Sequence, residues 1–489
     1  MRLGEVNNIL FRLETECDVH VIKLDGVEVW PLVRSVLWTH LSSTDKNSKF
    51  SVLSQYSARE LISAVAARLT ALSRINIFSQ KFLSSIRHVE VVFIGRTNHL
   101  TKVVGSRAWY DRVLDPIQDI VSSLKKTEKF VIGIHKSGKL ATRSRKLNLY
   151  KLHMTSMIQG LETSGLMSKL EETGMNPLKI KSEIERASQD FLSGSIIFQK
   201  YLDARPDVQY IFVSVWYSYD MMGLIFAARQ RSICVIDVQH GAEYAQHGMY
   251  SNMQHHRLNP TKLVPNLFWT WGQFSGSVAQ ATFSHGKGDD VAIVGGYPWH
   301  EFRDEILKSA RTVEFRKHNS IMKKRILVSL QPPTLSSNSR IPKFVQEFMQ
   351  SDASNDFQIN FRVHPNDRAA AEEVRSLGSI SSRAEYWFSD TSQDLVSTLR
   401  QSDFHITAFS SVCYDAMSCG VPSLLYGQEA IEYYKDEIAS KVFMWTEGNL
   451  IDLLRFLNSP ENNVYGFEKY FESSLSLSRK AVLNIFAHS

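Results

Sequence analysis

Two copies of the tripeptide Gln-His-Gly lie close together in the middle of the sequence, at residues 239–241 and 246–248. The first copy follows the apolar run ICVIDV, so His240 is predicted to stand at the end of a buried strand, beside a residue that has no side chain. The ordinary pKa of histidine is near 6.5, which suits it to accept a proton from an alcohol at neutral pH. We therefore predict that His240 is a general base and that Gln239, Gly241 and His247 contact a substrate. The alternative is that both copies are polar turns.

The motif FRVHPND places Arg362 and His364 between apolar residues at the end of a predicted strand. An arginine and a histidine at a strand end can both donate charge-assisted hydrogen bonds to a phosphate, so both are predicted phosphate contacts. Gln331 precedes a polar loop and is a predicted sugar contact at the edge of the same site. The alternative for the motif is a solvated strand end.

Ser410 and Ser411 follow the apolar run HITAF and precede a predicted helix. Serine is a preferred helix N-cap, and the free N–H groups of a helix N-terminus attract phosphate. Asp415 lies one turn further on, where it would reach ribose hydroxyls if the phosphate lay at the cap. The alternative is that both serines only cap the helix.

Other chemistries lack their signatures. No Asp-x-Asp pair ends a predicted strand, and His255-His256 has no nearby carboxylate or thiol, so we predict neither a metal site nor a cofactor. The four cysteines form no CxxC pair and are predicted to be reduced thiols. No GxxxxGK[ST] motif is present, which disfavours an ATPase.

Short runs rich in Val and Ile alternate with helical patterns along most of the chain, which predicts parallel sheets covered by helices on both faces. The runs form two series, 91–296 and 325–427. We predict an N-terminal domain of residues 1–296, a linker of 297–324, a second domain of 325–475 and a C-terminal helix of 476–489. Ligands of such domains bind at the carboxyl ends of the strands, so Gly95 and Arg96 are predicted to line the acceptor side of the first site. The alternative is that they form a tight turn between a strand and a helix.

The region before residue 90 differs, because residues 29–41 and 57–78 have helical patterns. The second pattern has apolar residues on one face and arginines on the other, which is compatible with a helix at a membrane surface or with a helix that covers the sheet. No stretch approaches about 20 apolar residues without charge, so no membrane span is predicted.

The composition is that of a folded globular protein, with 489 residues, 43% hydrophobic and 22% charged. Its 56 basic and 50 acidic residues give a net charge of +6, which suits anionic substrates or an acidic membrane surface. The charge is too small to indicate a nucleic-acid-binding protein.

The order of several short motifs resembles that of the GT-B glycosyltransferases of bacterial capsule and lipopolysaccharide assembly. These motifs are Gln239-His240-Gly241, Trp271-Gly272, Val294-Gly295-Gly296-Tyr297-Pro298, Arg362-Val363-His364-Pro365, Ser410-Ser411, Asp415-Ala416 and Gly420-Val421-Pro422. Bacterial sialyltransferases and Kdo transferases are the most similar in their His-Pro and Ser-Ser motifs, and CDP-glycerol glycerophosphotransferases are similar in their His-Gly and His-Pro motifs. The resemblance covers roughly residues 230–440.

This resemblance implies two Rossmann-like domains facing across a cleft. The second domain would bind a nucleotide-activated sugar, with a CMP-linked acidic sugar favoured over a UDP- or GDP-linked hexose, through Arg362, His364, Ser410, Ser411 and Asp415. The first domain would bind a growing surface polysaccharide or a lipid-linked acceptor, and the sugar would be transferred with inversion and without a metal. The family often has Glu where this chain has Asp415, which shortens the reach to ribose.

Two alternatives stay open at the level of sequence. One is a glycerol- or ribitol-phosphate transferase that uses a CDP-alcohol, and the other is a non-catalytic module that binds a sugar nucleotide or a polysaccharide. The expected location is the cytoplasm, either free or peripheral at the inner face of the cytoplasmic membrane.

Overall fold

The computed structural model describes residues 3–42, 88–106, 108–133, 139–140, 144–147, 158–241, 246–286, 288–309, 323–331, 340–363, 368–377, 385–389, 394–459 and 467–487. The predicted helix over residues 57–78 and the predicted phosphate contact His364 lie outside these residues.

The chain divides into two compact units. The first unit comprises residues 1–100, 111–296 and 476–489, and the second comprises 101–110 and 297–475. Residues at the start of the predicted linker form a helix, Trp299–Ser309, that belongs to the second unit. The domain boundaries set from the sequence stay predictions.

Nineteen strands lie within the described residues: β1 (Lys23–Leu24), β2 (Val27–Glu28), β3 (Val91–Arg96), β4 (Leu100–Lys102), β5 (Ala108–Asp111), β6 (Thr127–Ile132), β7 (Lys139–Leu140), β8 (Ser144–Leu147), β9 (Ile158–Gln159), β10 (Tyr210–Val213), β11 (Cys234–Val238), β12 (Leu267–Thr270), β13 (Ala292–Val294), β14 (Lys324–Ser329), β15 (Phe357–Arg362), β16 (Glu385–Ser389), β17 (Phe404–Thr407), β18 (Ser423–Tyr426) and β19 (Met444–Thr446).

The α-helices of the described residues are α1 (Leu3–Glu16), α2 (Trp30–Ser42), α3 (Asp115–Ser122), α4 (Leu166–Glu172), α5 (Pro177–Asp203), α6 (Tyr219–Arg229), α7 (Gln254–Leu258), α8 (Gln273–Phe283), α9 (Trp299–Ser309), α10 (Lys343–Gln350), α11 (Arg368–Ser376), α12 (Leu395–Arg400), α13 (Val412–Ser418), α14 (Gln428–Tyr433), α15 (Lys435–Ala439), α16 (Leu450–Asn458) and α17 (Leu475–Ala487). Short 3₁₀ helices span Val19–Val21, Thr97–His99, Asp352–Asp356 and Phe467–Lys469.

The first unit is built on a seven-stranded sheet with the order β13-β12-β11-β10-β3-β6-β8, in which all neighbours are parallel. Its central strands are buried along their whole length because they consist of apolar residues, for example YIFV in β10. In chain order the central strands β3 and β10 are the first and the fourth of the sheet. Connections leave these two strands in opposite directions, so a crevice forms between their carboxyl ends.

The second unit repeats this topology with a six-stranded parallel sheet of order β16-β15-β14-β17-β18-β19. The first and fourth strands, β14 and β17, are again adjacent at its centre. One face of β14 and β15 packs into a core with α10 and α16 through side chains such as Val328, Phe361 and Phe348. Leu327, on the opposite face of β14, packs against α12 through Leu395 and Leu399.

The N-terminal helices α1 and α2 belong to the core of the first unit. Ten of the 13 residues of α2 are buried, among them Trp30 and Arg34, neither of which is exposed to solvent. The predicted helix over residues 29–41 is therefore confirmed.

The fold class predicted from the sequence, two doubly wound parallel-sheet domains with a helical N-terminal region, is confirmed. Both predicted series of Val- and Ile-rich runs contain strands, β3 to β13 in the first and β14 to β18 in the second. The edge strands β8, β16 and β19 escaped prediction because they contain charged or aromatic residues, as in SRKL, EYWFS and MWT. An edge strand is less buried than a central one and so needs no continuous apolar run.

Candidate functional site

The crevice of the first sheet is lined by residues at the ends of β3, β10 and β11 or just beyond them. Arg96 ends β3, Ser214 follows β10, and His240 lies two residues beyond β11. The 3₁₀ helix after β3 adds His99. Parallel strands end at the same edge of a sheet, which is why residues more than 100 positions apart in the chain meet here.

Five neighbouring side chains form a group that we call the histidine cluster: His99, Ser214, Tyr217, His240 and His247. The ring centres of His99 and His240 are 5.2 Å apart, and the ring of Tyr217 lies 6.2 Å from His240 and 4.7 Å from His247. The Ser214 hydroxyl is hydrogen-bonded to Nδ1 of His99 at 3.2 Å. The structure therefore brings the two predicted histidines together and adds a third that the sequence analysis missed.

The imidazoles of the cluster are held neutral. Burial, reinforced by the positive charges of Arg112 and Arg96, lowers the pKa of His99 and His240 well below the ordinary value. Burial likewise lowers the pKa of His247 to about 3. A neutral imidazole has a free lone pair on one ring nitrogen and a proton on the other, so it can accept a proton or orient a hydroxyl group at physiological pH.

Arg96, a predicted ligand contact, is held by a bidentate ion pair. Its guanidinium lies 2.9 and 2.6 Å from the two carboxylate oxygens of Asp220, the acidic residue in the first turn of α6. Burial raises the pKa of Asp220, but the Arg96 charge and hydrogen bonds outweigh it, so that the pKa is lowered. Arg96 thus ties the end of β3 to α6 and supplies a positive charge beside the histidine cluster.

Gln239, another predicted contact, is buried and uses its side chain within the protein. Its amide nitrogen donates to the carbonyl of Gly241 at 2.8 Å, and its amide oxygen accepts from the backbone N–H of Trp271 at 2.7 Å. The indole of Trp271 returns a hydrogen bond to the carbonyl of Gln239 at 2.9 Å. These bonds fix the backbone on both sides of His240, and a direct sugar contact by Gln239 or Gly241 stays a prediction.

Gly95 is buried within β3, where a side chain has no room. A Cβ atom at this position would lie 2.1 Å from a carboxylate oxygen of Asp111. Asp111 is itself buried and pairs with the buried ammonium of Lys129 at 3.1 Å. The need for glycine at this position is therefore explained by packing, and its predicted contact with a ligand stays a prediction.

The loop of the second Gln-His-Gly tripeptide is held from the N-terminal helices. Arg34 of α2 donates from Nε to the carbonyl of Gly248 at 2.8 Å and pairs with Glu14 of α1 at 2.5 Å. Neither side chain of this pair is exposed. The ring of Trp38 covers Gly248 so closely that a Cβ atom on residue 248 would lie 2.4 Å from a ring carbon. The centre of the same ring lies 4.9 Å from the ring centre of His247. The N-terminal helices thus determine where His247 lies.

The turn after β10 contains the strained residue Val215, whose φ is 61°. A β-branched residue in the left-handed region costs about 1–3 kcal/mol and persists only where the surroundings impose it. The buried carboxylate of Asp237 accepts from the backbone N–H of Trp216 at 3.2 Å and from the Tyr250 hydroxyl at 2.8 Å. This network holds the turn that carries Ser214 and Tyr217.

In the second unit the central crevice lies at the ends of β14 and β17, where Gln331 and Ser410 follow the strands. Both residues are partly exposed. The Ser410 hydroxyl, and not that of Ser411, accepts from the N–H of Val412 at the start of α13, with a long separation of 3.4 Å. Both serines therefore lie at the N-terminus of the helix, as their position in the sequence indicated, and their contact with phosphate stays a prediction.

Asp415 is buried in α13 and paired with a residue that the sequence analysis overlooked. Nε2 of His300 in α9 lies 2.8 Å from a carboxylate oxygen of Asp415, and neither side chain is more than 8% exposed. Burial lowers the pKa of His300, but its bonds to Asp415 and Cys419 prevail and raise it to about 9. Asp415 thus faces a buried imidazolium, and its predicted contact with ribose stays a prediction.

Arg362 ends β15 and is 8% exposed, beside the end of β14. Next to it, His405 bridges three strands, since its ring nitrogens are bonded to the hydroxyls of Ser329 at 3.0 Å and Ser423 at 2.9 Å. Burial lowers the pKa of His405 to about 3, so this network is neutral. The phosphate contact predicted for Arg362 stays a prediction.

The described residues offer neither a cluster of metal ligands nor a membrane-spanning helix. They contain no group of three or more His, Cys, Asp or Glu side chains that could hold a metal ion. Among their helices, none combines the length and the apolar character needed to cross a bilayer.

Comparison with solved structures identifies the fold. A UDP-N-acetylglucosamine 2-epimerase from Methanocaldococcus jannaschii is 11% identical with a TM-score of 0.51, covering 82% of this chain and all of its own. A Listeria monocytogenes protein described as an enzyme of the same kind is 14% identical with a TM-score of 0.50, covering 83% of this chain and 98% of its own. The glycosyltransferase SnogD from Streptomyces nogalater is 10% identical with a TM-score of 0.45, covering 82% and 100%. No protein-family model matches the sequence, and a search of curated proteins returns no significant match.

At these identities the likeness establishes the fold alone, and that fold is of the GT-B type. The GT-B part of the resemblance seen in the sequence is therefore confirmed. The finer part, to sialyltransferases, Kdo transferases and CDP-glycerol transferases, is not supported by these relatives.

His99, Ser214, Glu14, Arg34 and His300 escaped the sequence analysis. Their positions show why. Ser214 directly follows β10 and His99 lies three residues beyond β3, so the position just after a predicted strand could have indicated both. The other three lie in helices, far along the chain from the residues they contact, and no local pattern marks them.

Proposed function

We propose that the protein is an inverting GT-B glycosyltransferase that uses a nucleotide-activated sugar. The second unit binds the nucleotide at the ends of β14 and β17, and the first unit activates a hydroxyl group of the acceptor at the histidine cluster. The relatives with TM-scores of 0.50 and 0.51 are named for a UDP-linked sugar, so we put a UDP-linked donor ahead of the CMP-linked acidic sugar expected from the sequence.

One observation carries this proposal. In each sheet the first and fourth strands are neighbours, and the residues picked from the sequence, His240 in one sheet and Gln331 and Ser410 in the other, follow strands at or beside that point. Doubly wound sheets bind their ligands in this position, outside the carboxyl ends of the strands.

The proposed reaction assigns the proton to His240. Its neutral imidazole accepts the proton of the acceptor hydroxyl, the oxygen attacks the anomeric carbon, and the bond from that carbon to the phosphate oxygen breaks with inversion. His99 and Tyr217 lie beside the His240 ring and orient it. Donors at the N-terminus of α13 stabilise the charge that develops on the leaving phosphate.

The pKa of His240 gives this assignment a test in pH. Because burial lowers that pKa well below the ordinary value, the base stays unprotonated as the pH falls through 6.5. We expect kcat/KM to stay level from pH 8 to below pH 6.5 and to decline only at lower pH. An acidic limb centred near pH 6.5 would argue against His240.

The donor can be identified by thermal shift against UDP, CMP, CDP and GDP, because a ligand raises Tm in proportion to the logarithm of its concentration over Kd. We expect the largest shift with UDP.

His240→Ala should retain this shift in Tm and lose at least about 100-fold in kcat, the usual contribution of a general base. A variant with normal turnover would remove His240 from the mechanism.

A second candidate function is 2-epimerisation of a UDP-linked sugar, which is favoured by the names of the same two relatives. Incubation with UDP-N-acetylglucosamine and no acceptor separates the two functions, since only an epimerase would turn over. Analysis of products with an oligosaccharide or lipid-linked acceptor distinguishes a glycosidic bond from the phosphodiester of a CDP-alcohol transferase. Nucleotide binding without any turnover would indicate a non-catalytic binding module.

A further inference from the structure

The second unit contains an open cavity of about 430 Å³ that lies away from the proposed nucleotide site. Arg325, near the amino end of β14, and Gln401 and Ser402, which precede β17, line it. The proposed nucleotide site lies at the carboxyl ends of the same strands. Arg325 and Gln331 are six positions apart in the chain, a distance of about 20 Å at 3.3 Å per residue of extended chain.

The floor of the cavity is the face of the sheet that carries Asn360 and Trp387, which are directly paired on β15 and β16. Ile359 and Phe361, on either side of Asn360, point into the core on the opposite face. Asn360 is only 6% exposed, and its side-chain oxygen has no hydrogen-bond partner among the residues that the structure describes. A buried amide oxygen without a partner disfavours folding because it has lost its hydrogen bonds to water, so this position is better suited to a ligand than to stability.

Trp387 adds an apolar platform beside this amide. Its side chain is 39% exposed on an edge strand, which is unusual for a tryptophan within a sheet. An exposed indole next to a polar amide offers a flat face for the C–H groups of a sugar ring and a partner for its hydroxyl groups.

The charged residues of the cavity leave a positive balance. Lys102 and Arg325 both line it, and within the described residues neither forms a salt bridge with a carboxylate. The Arg325 guanidinium is held in place by the neutral side chains of Gln358 at 3.2 Å and Gln401 at 3.4 Å. The cavity's carboxylate, Asp394, is already paired with Arg303 at 2.5 Å. An anionic group in the cavity would therefore meet two cations.

We propose that this cavity is a second saccharide site, which binds a sugar unit that bears a carboxylate. The indole of Trp387 stacks on the ring, Asn360 accepts from a hydroxyl, and Arg325 and Lys102 bind the carboxylate. The ligand is a free acidic sugar or one unit of an acidic oligosaccharide, and the two sources share this chemistry.

Saturation-transfer NMR and calorimetry on the full-length protein test the proposal, with glucuronic acid, a hyaluronan tetrasaccharide, glucose and acetate as probes. We expect the two probes that contain glucuronic acid to bind. Glucose alone and acetate alone should not bind. Tighter binding of the tetrasaccharide would identify a chain as the ligand, and equal affinity would identify the free sugar. Equal binding of glucose, or binding of acetate alone, would overturn the proposal.

Variants locate the site. Trp387→Ala and Arg325→Gln should each weaken binding about tenfold or more, since each removes a stacking or charge-assisted contact. Lys343→Gln is the matched control, because this lysine is 89% exposed on α10, does not line the cavity and carries the same charge. An equal loss in the control would mean that net charge alone attracts the ligand, which contradicts the proposal.

Asn360→Leu gives an independent measurement. Replacing the amide by an apolar group of similar size removes the buried oxygen, so Tm should rise by about 2–4 °C while saccharide binding is lost. Saturating UDP should leave the binding of glucuronic acid unchanged, which separates this site from the nucleotide site. Competition by UDP would place the sugar in the nucleotide site and refute the proposed second site. Absence of glycosyltransferase activity would refute the proposed function but would not affect the evidence for this saccharide site.

Discussion

At the scale of single residues, the environment of a histidine decides its charge. His240 and His405 are both buried, and burial lowers the pKa of both. His300 is equally buried but has Asp415 at 2.8 Å, and its pKa is raised to about 9. The sequence shows three histidines that look alike, and only the neighbouring side chains distinguish a neutral base from a fixed positive charge.

The pair of His300 and Asp415 predicts how stability depends on pH. A histidine with a folded-state pKa of about 9 and an ordinary value of 6.5 stabilises the fold fully below pH 6.5, and this contribution is lost as the pH rises through 9. A shift of that size corresponds to about 3 kcal/mol. The free energy of unfolding should therefore fall more between pH 6.5 and 9.5 in the wild type than in His300→Asn, as measured by urea denaturation. Parallel curves for the two proteins would show that the pair contributes nothing.

At the scale of elements, the N-terminal helices hold a loop of the histidine cluster, and their sequence does not predict this contact. Glu14 and Arg34 lie 20 residues apart on α1 and α2, and together they hold the loop that contains His247. Asn7 adds a hydrogen bond from α1 to the carbonyl of Gln246 at 2.9 Å. The pattern of residues 29–41 predicts a helix, but it does not predict which residues that helix contacts, and the sequence analysis made no prediction for α1.

This arrangement predicts that substitutions of Arg34 and Glu14 have non-additive effects on the free energy of unfolding. Arg34→Met leaves the Glu14 carboxylate buried without its partner and should cost about 3–5 kcal/mol of stability. The double variant Arg34→Met/Glu14→Gln removes the isolated charge and should recover part of that loss in urea denaturation. Both variants should have lower kcat than the wild type, because the loop loses its bond to Arg34. Additive losses in the double variant would contradict a direct coupling.

At the scale of the whole molecule, the C-terminal helix rejoins the first unit after the chain has built the second. Val482 is fully buried, and Ala481 and Ile485 are nearly so. The hydroxyl of Ser478 donates to the carbonyl of Gly295 at 2.6 Å, and the ring of Phe486 lies 4.9 Å from that of Tyr210 in the central strand β10. The chain thus closes the first unit with residues that lie almost 200 positions beyond its last strand.

Removal of residues 476–489 should therefore weaken the first unit and not the second. Loss of the buried side chains of α17 should cost about 4–6 kcal/mol, given roughly 1.5–3 kcal/mol for each large apolar group. Hydrogen–deuterium exchange should increase in β10, β12 and β13 and stay unchanged in β14, β15 and β17. A chain that ends at residue 487 serves as the control. Faster exchange in β14 with unchanged β12 would contradict the assignment of the helix.

The sequence by itself determined the central strands, the doubly wound class and the place of His240, Gln331, Ser410 and Ser411 at strand ends. Periodicity and turn residues are local signals, and the rule that ligands meet strand ends extends them to a site. Tertiary structure alone decided that Gln239 holds a loop through hydrogen bonds, that Arg96 pairs with Asp220 and that Asp415 pairs with His300. It also decided that His99 and Arg34 lie at or beside the histidine cluster. Those facts depend on which elements pack together, and packing between distant segments leaves no trace in local sequence because any well-shaped partner satisfies the same apolar face.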